Sequence, residues 1–292
     1  MKPASKGHLE VLGAALLFST GGAAIKASVF SGWQVASFRS AVAAAVLMLV
    51  LPQTRRAWNR DYFLVALAYS ATLVLFVTAN KMTTAANTIF LQSAAPVYLV
   101  FLGPWLLKEP VRRRDILFLC VMALGMSLFF LGEQAPQVTA PRPLAGNILA
   151  AISGVTWAFT LIGLRWLGKR QGNSNPGMAT VAVGNLLAFL ACLPMALSEP
   201  VRGGLTEWLV IGYLGVFQIG LAYVLLTLAV RHLPALQVSM LILLEPALNP
   251  VWTWLVHGEK VGRLSIAGGL LILGATASMS VMERSKAARA KA

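Results

Sequence analysis

Glu245 sits where a carboxylate is hardest to keep. It lies in Leu243-Leu244-Glu245-Pro246, about ten residues from either end of an apolar stretch over 235–256. A charge at the centre of a membrane helix costs roughly 2.5–3.5 kcal/mol on insertion scales, and such residues mark functional sites by default. Glu245 could bind an ammonium group or carry a proton. Alternatively it could accept hydrogen bonds from backbone groups freed by Pro246 and Pro250, because proline removes a donor and opens the helix. The other carboxylates, such as Asp61, Glu109, Asp115 and Glu259, fall in polar breaks or near the ends of apolar stretches.

Uncharged polar and aromatic side chains at comparable depth complete the candidate substrate-binding set: Thr20, Asn87, Gln92, Tyr98, Trp157, Gln218, Tyr223 and Asn249, together with Glu245. Each could equally make the ordinary hydrogen bonds of helix packing in a membrane bundle. Trp157 stands apart. It lies deep in its stretch, away from the interfacial belts where Trp concentrates, and suits a stacking wall for a partly apolar molecule. Trp33, Trp58, Trp105, Trp166, Trp208 and Trp254 lie near stretch ends and read as interfacial anchors. Lys26 and Arg39 occupy the outer parts of their stretches, where long cationic side chains can snorkel to the headgroups.

Other chemistries lack their parts. His8, His232 and His257 fall at stretch ends on different segments, and no phosphate-binding loop or cluster of metal ligands occurs. No catalytic residue, metal or cofactor is expected, and ATP hydrolysis is excluded as an internal energy source. A channel filter or ring of charges is also missing from the sequence.

These side chains must be held by membrane-spanning elements. The 292 residues are 58% hydrophobic and 12% charged, against about 45–50% and 25% in soluble domains. Stretches of the length needed to cross a bilayer recur at 9–29, 33–52, 62–80, 85–107, 116–132, 144–167, 177–197, 207–230, 235–256 and 264–282. The expected fold class is all-α integral membrane, with ten transmembrane helices. A net charge of +14 would fit a nucleic-acid binder, but a mean hydropathy of +0.73 does not. Placing the N-terminus in the cytoplasm puts seventeen of the 24 Lys and Arg residues on that side and five on the other. That asymmetry follows the positive-inside rule and implies contact with anionic lipid rather than nucleic acid.

The chain also repeats. An offset of 150 pairs Ala85 with Ala235, Leu91 with Leu241, Pro96 with Pro246 and Glu109 with Glu259, while an offset of 139 pairs Gly7 with Gly146, Phe18 with Trp157 and Lys26 with Arg165. Five stretches per half, an odd number, invert the second copy relative to the first. Inverted repeats belong to alternating-access transporters, with the substrate site near the midplane where the halves meet. The expected units are 1–133 and 144–283, an external linker at 134–143 and a basic cytoplasmic tail at 284–292.

The segments from Gly146 to Arg170 and from Leu243 to Ala275, with Trp157, Glu245, Pro246, Gly258, Glu259, Gly268 and Gly269, resemble EamA domains. Within the drug/metabolite transporter superfamily the pattern is similar to the YddG-type amino-acid exporters. The first copy departs from it, with Phe18 in place of the Trp and Ala95 in place of the Glu. The resemblance implies a monomeric, multi-pass protein of a bacterial inner membrane that exports amino acids, aromatic and other apolar ones included, by facilitated or weakly coupled alternating access. The alternative is export of other small metabolites or cationic drugs, with Glu245 as countercharge or proton carrier.

Overall fold

Inside a bilayer no water is available to backbone amides, so each crossing segment must satisfy its own hydrogen bonds, which an α-helix does. The computed structural model describes residues 3–55, 59–83, 85–131, 141–170 and 176–257, and positions 263, 264, 266–268, 270, 271, 273–275 and 278. Among these residues every regular element is helical. Six segments are long and apolar enough to cross a membrane: Lys6–Ala27, Gly32–Val50, Arg60–Met82, Leu144–Arg170, Pro176–Ser198 and Leu205–Ala229. Shorter apolar helices cover Ala95–Leu107, Ala235–Asn249 and Ile266–Ala275. The chain is a multi-pass helical membrane protein. Residues 134–140 of the expected linker, the basic tail, Gly258, Glu259, Gly269 and nine of the nineteen positions in the 264–282 stretch lie outside the described residues, as do the side chains of Pro250, Trp254 and His257.

In chain order the helices are α1 (Pro3–Ser19), α2 (Gly21–Ala27), α3 (Gly32–Val50), α4 (Arg60–Met82), α5 (Ala85–Gln92), α6 (Ala95–Leu107), α7 (Arg113–Leu131), α8 (Pro143–Arg170), α9 (Pro176–Ser198), α10 (Leu205–Tyr213), α11 (Ala222–Ala229), α12 (Ala235–Ile242) and α13 (Leu244–His257). Where the sequence predicts single helices over 85–107 and 235–256, the structure has the pairs α5–α6 and α12–α13. The cause is local, since a proline early in the second helix of each pair cannot donate to the turn before it. Its boundaries recur at the same 150-residue offset as the sequence pairs, with Ala85 and Ala235 opening them and Leu107 and His257 closing them.

Two further irregularities shape the interior. α1 stops at Ser19, where the Ser19 and Thr20 hydroxyls turn back onto the carbonyls of Leu16 and Leu17, both at 2.7 Å, in competition with the helical ladder. Between α10 and α11, residues Leu214–Leu221 adopt a π-helix, a local widening often found at functional sites.

Helix ends are capped where the sequence supplies donors and acceptors. Ser31 and Gln34 form a reciprocal capping box on α3, and the Asn59 side chain accepts from the Tyr62 amide to start α4. Packing interleaves the two halves of the chain: α8 lies against α4, α5 and α6; α3 against α9 and the π-helix; and α1 against α11 and α13.

Candidate functional site

A cavity opens between these interleaved elements. From the first half come Phe18 on α1, Arg39 on α3, Thr72, Leu73 and Phe76 on α4, and Gln92 at the end of α5. Trp157 on α8, Gln218 and Ile219 on the π-helix, Tyr223 on α11 and Glu245 on α13 come from the second. Its volume is about 40 Å³, room for about one or two water molecules. Anything larger requires the lining side chains to move apart.

Close backbone approach builds this site. A Cβ on Gly21 would fall 2.6 Å from Gln218 Nε2, and one on Gly22 would fall 2.6 Å from Asn249 Nδ2. Glycine at the start of α2 therefore lets the break after α1 sit directly against the π-helix and α13. Across the cavity, the Ser153 hydroxyl receives the Gln92 amide at 2.7 Å and donates to the Thr72 carbonyl at 3.4 Å, which ties the end of α5 to α8 and α4.

The aromatic wall is a set of edge-to-face rings around Tyr223. Ring centroids lie 5.0 Å away at Phe18, 4.5 Å at Tyr69 and 6.1 Å at Trp157, and Phe18 meets Trp157 at 6.3 Å. Such pairs contribute about 0.5–1.5 kcal/mol each beyond area burial. Phe18 and Trp157, paired in the sequence by the 139 offset, thus face each other across one cavity. Asn185 donates to the Tyr69 hydroxyl at 2.8 Å and locks the far side of the cluster.

Charge enters at two points. Glu245 lines the cavity and receives no hydrogen bond or ion pair from the described residues. Arg39 overturns the snorkelling expectation: it is 1% exposed, and its guanidinium points inward. Nη1 donates to Gln218 Oε1 at 3.3 Å and Nη2 to the Leu73 carbonyl at 3.4 Å, while Nε has no partner among the described residues. Rotation of α3 about its axis decides between the two fates, and packing against α9 and the π-helix sets that rotation.

Of the sequence candidates, Gln92, Trp157, Gln218, Tyr223 and Glu245 meet at the cavity, and four others do not. The Thr20 hydroxyl pairs with the Tyr213 hydroxyl at 2.8 Å, and the Asn87 amide donates to Asn147 Oδ1 at 3.3 Å. Tyr98 packs half-buried against the core, and Asn249 is buried beside Gly22. Arg39, Phe18, Thr72, Leu73, Phe76 and Ile219 were absent from the candidate set. Two of them carried a signal: Arg39, as a charge inside an apolar stretch with no acid on its own helix, and Phe18, as the counterpart of Trp157 at the 139 offset.

A second cluster lies at the end of the bundle where α6 finishes and α12 begins. Glu109 Oε1 accepts from Arg165 Nε at 2.7 Å and lies 2.9 Å from Lys169 Nζ, and Oε2 accepts from the Ala235 amide at 3.1 Å. Arg165 also donates to the carbonyls of Val230 and Arg231, at 2.7 and 3.0 Å. Burial works against the Glu109 charge, but the hydrogen bonds from Lys169 and Arg165, the Arg165 charge and the Ala235 amide together hold its carboxyl below the usual value.

Comparison with known proteins agrees with this two-part construction. The model of a family described as "EamA-like transporter family" matches residues 5–131 and again 144–281. The threonine/homoserine exporter RhtA of Escherichia coli (strain K12) is 28% identical over 198 residues, which is 65% of this chain and 64% of that protein's length. The pseudopaline exporter CntI of Pseudomonas aeruginosa (strain UCBPP-PA14) is 25% identical over 285 residues, 94% of this chain and 95% of its own. One solved structure shares the fold with a TM-score of 0.76 at 18% identity, covering 96% of this chain and 98% of its own.

Proposed function

Because the chain belongs to the EamA-like transporter family, we propose that it exports amino acids, aromatic and other apolar ones among them, across a bacterial inner membrane by alternating access. One observation carries the reading: a single cavity, walled by both family-matched halves, joins the rings of Phe18, Trp157 and Tyr223 to the carboxylate of Glu245. That combination fits a small molecule with an apolar body and a charged head. One relative above is named as an exporter of threonine and homoserine, which favours amino acids as the class.

The proposal includes ten membrane-spanning helices in two inverted five-helix repeats, 1–133 and 144–283, both termini in the cytoplasm and a working monomer. It is supported by the double family match, by the 150-residue recurrence of the α5–α6 boundaries in α12–α13, and by the skewed distribution of Lys and Arg. In this orientation the Glu109 cluster closes the cytoplasmic end, and opening inward requires Arg165 and Lys169 to leave it. Cysteines introduced within 134–143 should react with an impermeant thiol reagent from outside only; labelling confined to the cytoplasmic side sinks the topology.

Transport is tested in liposomes offered labelled amino acids, nucleosides and quaternary amines. Movement of a nucleoside or amine with no movement of any amino acid overturns the substrate class. The second reading, export of cationic compounds, rests on Glu245, whose charge no described residue compensates. We expect weak or absent proton coupling, since Glu245 is the only carboxylate among the described residues of the cavity wall. Accumulation beyond equilibrium driven by an imposed pH gradient, and lost in Glu245→Gln, would make Glu245 a proton site instead.

A further inference from the structure

Arg39 and Glu245 line one cavity from different halves of the chain. Arg39 belongs to α3 in the first matched region and Glu245 to α13 in the second. Neither is paired with the other: no ion pair within 4.0 Å involves either side chain among the described residues. A guanidinium has five N–H groups. Those of Arg39 make two contacts, both long, to Gln218 and Leu73, and Nε makes none.

A buried charge without a partner is strongly unfavourable, and one molecule carrying both complementary charges, admitted as the lining side chains move apart, would compensate the two together. We propose that Arg39 and Glu245 form a two-point clamp for a free amino-acid zwitterion, Arg39 taking the α-carboxylate and Glu245 the α-ammonium. This rests on the exporter reading and narrows it. The planar fork of Arg matches a carboxylate in two parallel hydrogen bonds, which a lysine cannot reproduce. Gln218 is a positioning residue, since its Oε1 holds Nη1 and thereby the plane of the guanidinium.

The rest of the ligand then falls against Phe18, Trp157 and Tyr223, whose rings accept an apolar side chain without demanding one shape. A quaternary amine would satisfy Glu245 but leave Arg39 uncompensated and facing a like charge. An N-acylated amino acid would satisfy Arg39 and leave Glu245 bare. Only the molecule with both charges bridges α3 to α13, so the zwitterion itself links the two halves that must move together.

The experiment compares phenylalanine, phenylalaninamide and N-acetylphenylalanine, with binding to the purified full-length protein and movement in liposomes measured separately. The native protein should bind phenylalanine about thirtyfold or more tightly than either analogue, the loss associated with removing one partner of a buried charge pair. Arg39→Gln should erase the preference over the amide yet keep the preference over the N-acetyl compound, and Glu245→Gln should do the reverse. Arg39→Lys should restore part of the discrimination.

Equal binding of phenylalanine and its amide by the native protein overturns the clamp, and so does an Arg39→Gln variant that keeps the native preference. If Arg39→Gln does not fold, the native ligand series and Arg39→Lys decide alone. Zwitterion-selective binding without net movement would leave the clamp standing and sink the exporter reading; movement of amino acid and amide alike would do the opposite.

Discussion

α5–α6 and α12–α13 are the same construction used twice, and only one carries a charge. Both are helix pairs interrupted before a proline, with ψ of −3° at Ala94 and −4° at Leu243. In the first, Ala94 closes a tight turn onto the Leu91 carbonyl at 3.4 Å; in the second, Leu243 does the same onto Met240 at 3.2 Å. The first places Ala95, 1% exposed, where the second places Glu245 on the cavity wall. A break that forms over alanine does not need a carboxylate. The proline accounts for the interruption, and no described backbone amide donates to Glu245. The difference between the pairs is therefore a difference in what they present to the cavity.

Making the first pair resemble the second is the harshest test. Ala95→Glu would bury a charge in a fully enclosed position without a partner and should cost roughly 3–5 kcal/mol, read as a large fall in thermal stability of the detergent-solubilised protein. Unchanged stability would show that this break also opens to water, and the contrast would collapse.

Making the second pair resemble the first should spare the fold and remove the function. Glu245→Ala is expected to keep native helicity by circular dichroism while lowering amino-acid binding by about 2 kcal/mol, some thirtyfold. Loss of helicity with loss of binding would return Glu245 to a structural role.

The far end of α6 provides a probe of similar size, read in stability rather than binding. Glu109→Gln removes the charge that Arg165 and Lys169 share and should destabilise by about 1.5–3 kcal/mol, in the range of charged hydrogen bonds. Because the folded Glu109 carboxyl is held below its usual value of 4.5, its contribution is fully present above that value and is lost as pH falls through the lower, folded one. The native protein should therefore lose stability on acidification below about pH 4.5 more steeply than Glu109→Gln; parallel profiles would remove Glu109 from the account.

Smallest is the aromatic wall. Trp157→Phe keeps an apolar ring but changes its edge contacts with Phe18 and Tyr223, for an expected loss of about 0.5–1.5 kcal/mol in binding of phenylalanine. No change, or an equal loss for a small polar amino acid, would place the apolar side chain elsewhere.

Much of the architecture was readable because it depends on near neighbours in the chain. The apolar stretches and the proline near the start of α6 and α13 are local features, and so is the depth of Glu245 within its stretch. The cavity was legible in part. Gln92, Trp157, Gln218, Tyr223 and Glu245 were found from residue type and depth, yet the same reasoning gathered Thr20, Asn87, Tyr98 and Asn249, which face other partners. Depth along a helix follows from counting residues, whereas the direction a side chain faces depends on which neighbours the helix packs against.

Sequence by itself determined that this chain is a helical membrane protein, repeated with an offset of 150, with a carboxylate deep in one copy and alanine in the other. Tertiary structure alone decided that Arg39 turns inward. Its partner Gln218 stands 179 residues away on a π-helix brought against α1–α2 by Gly21. No local pattern encodes that meeting. A charge on an apolar stretch can reach lipid headgroups or the bundle interior with the same sequence around it, and only the rotation imposed by packing chooses between them.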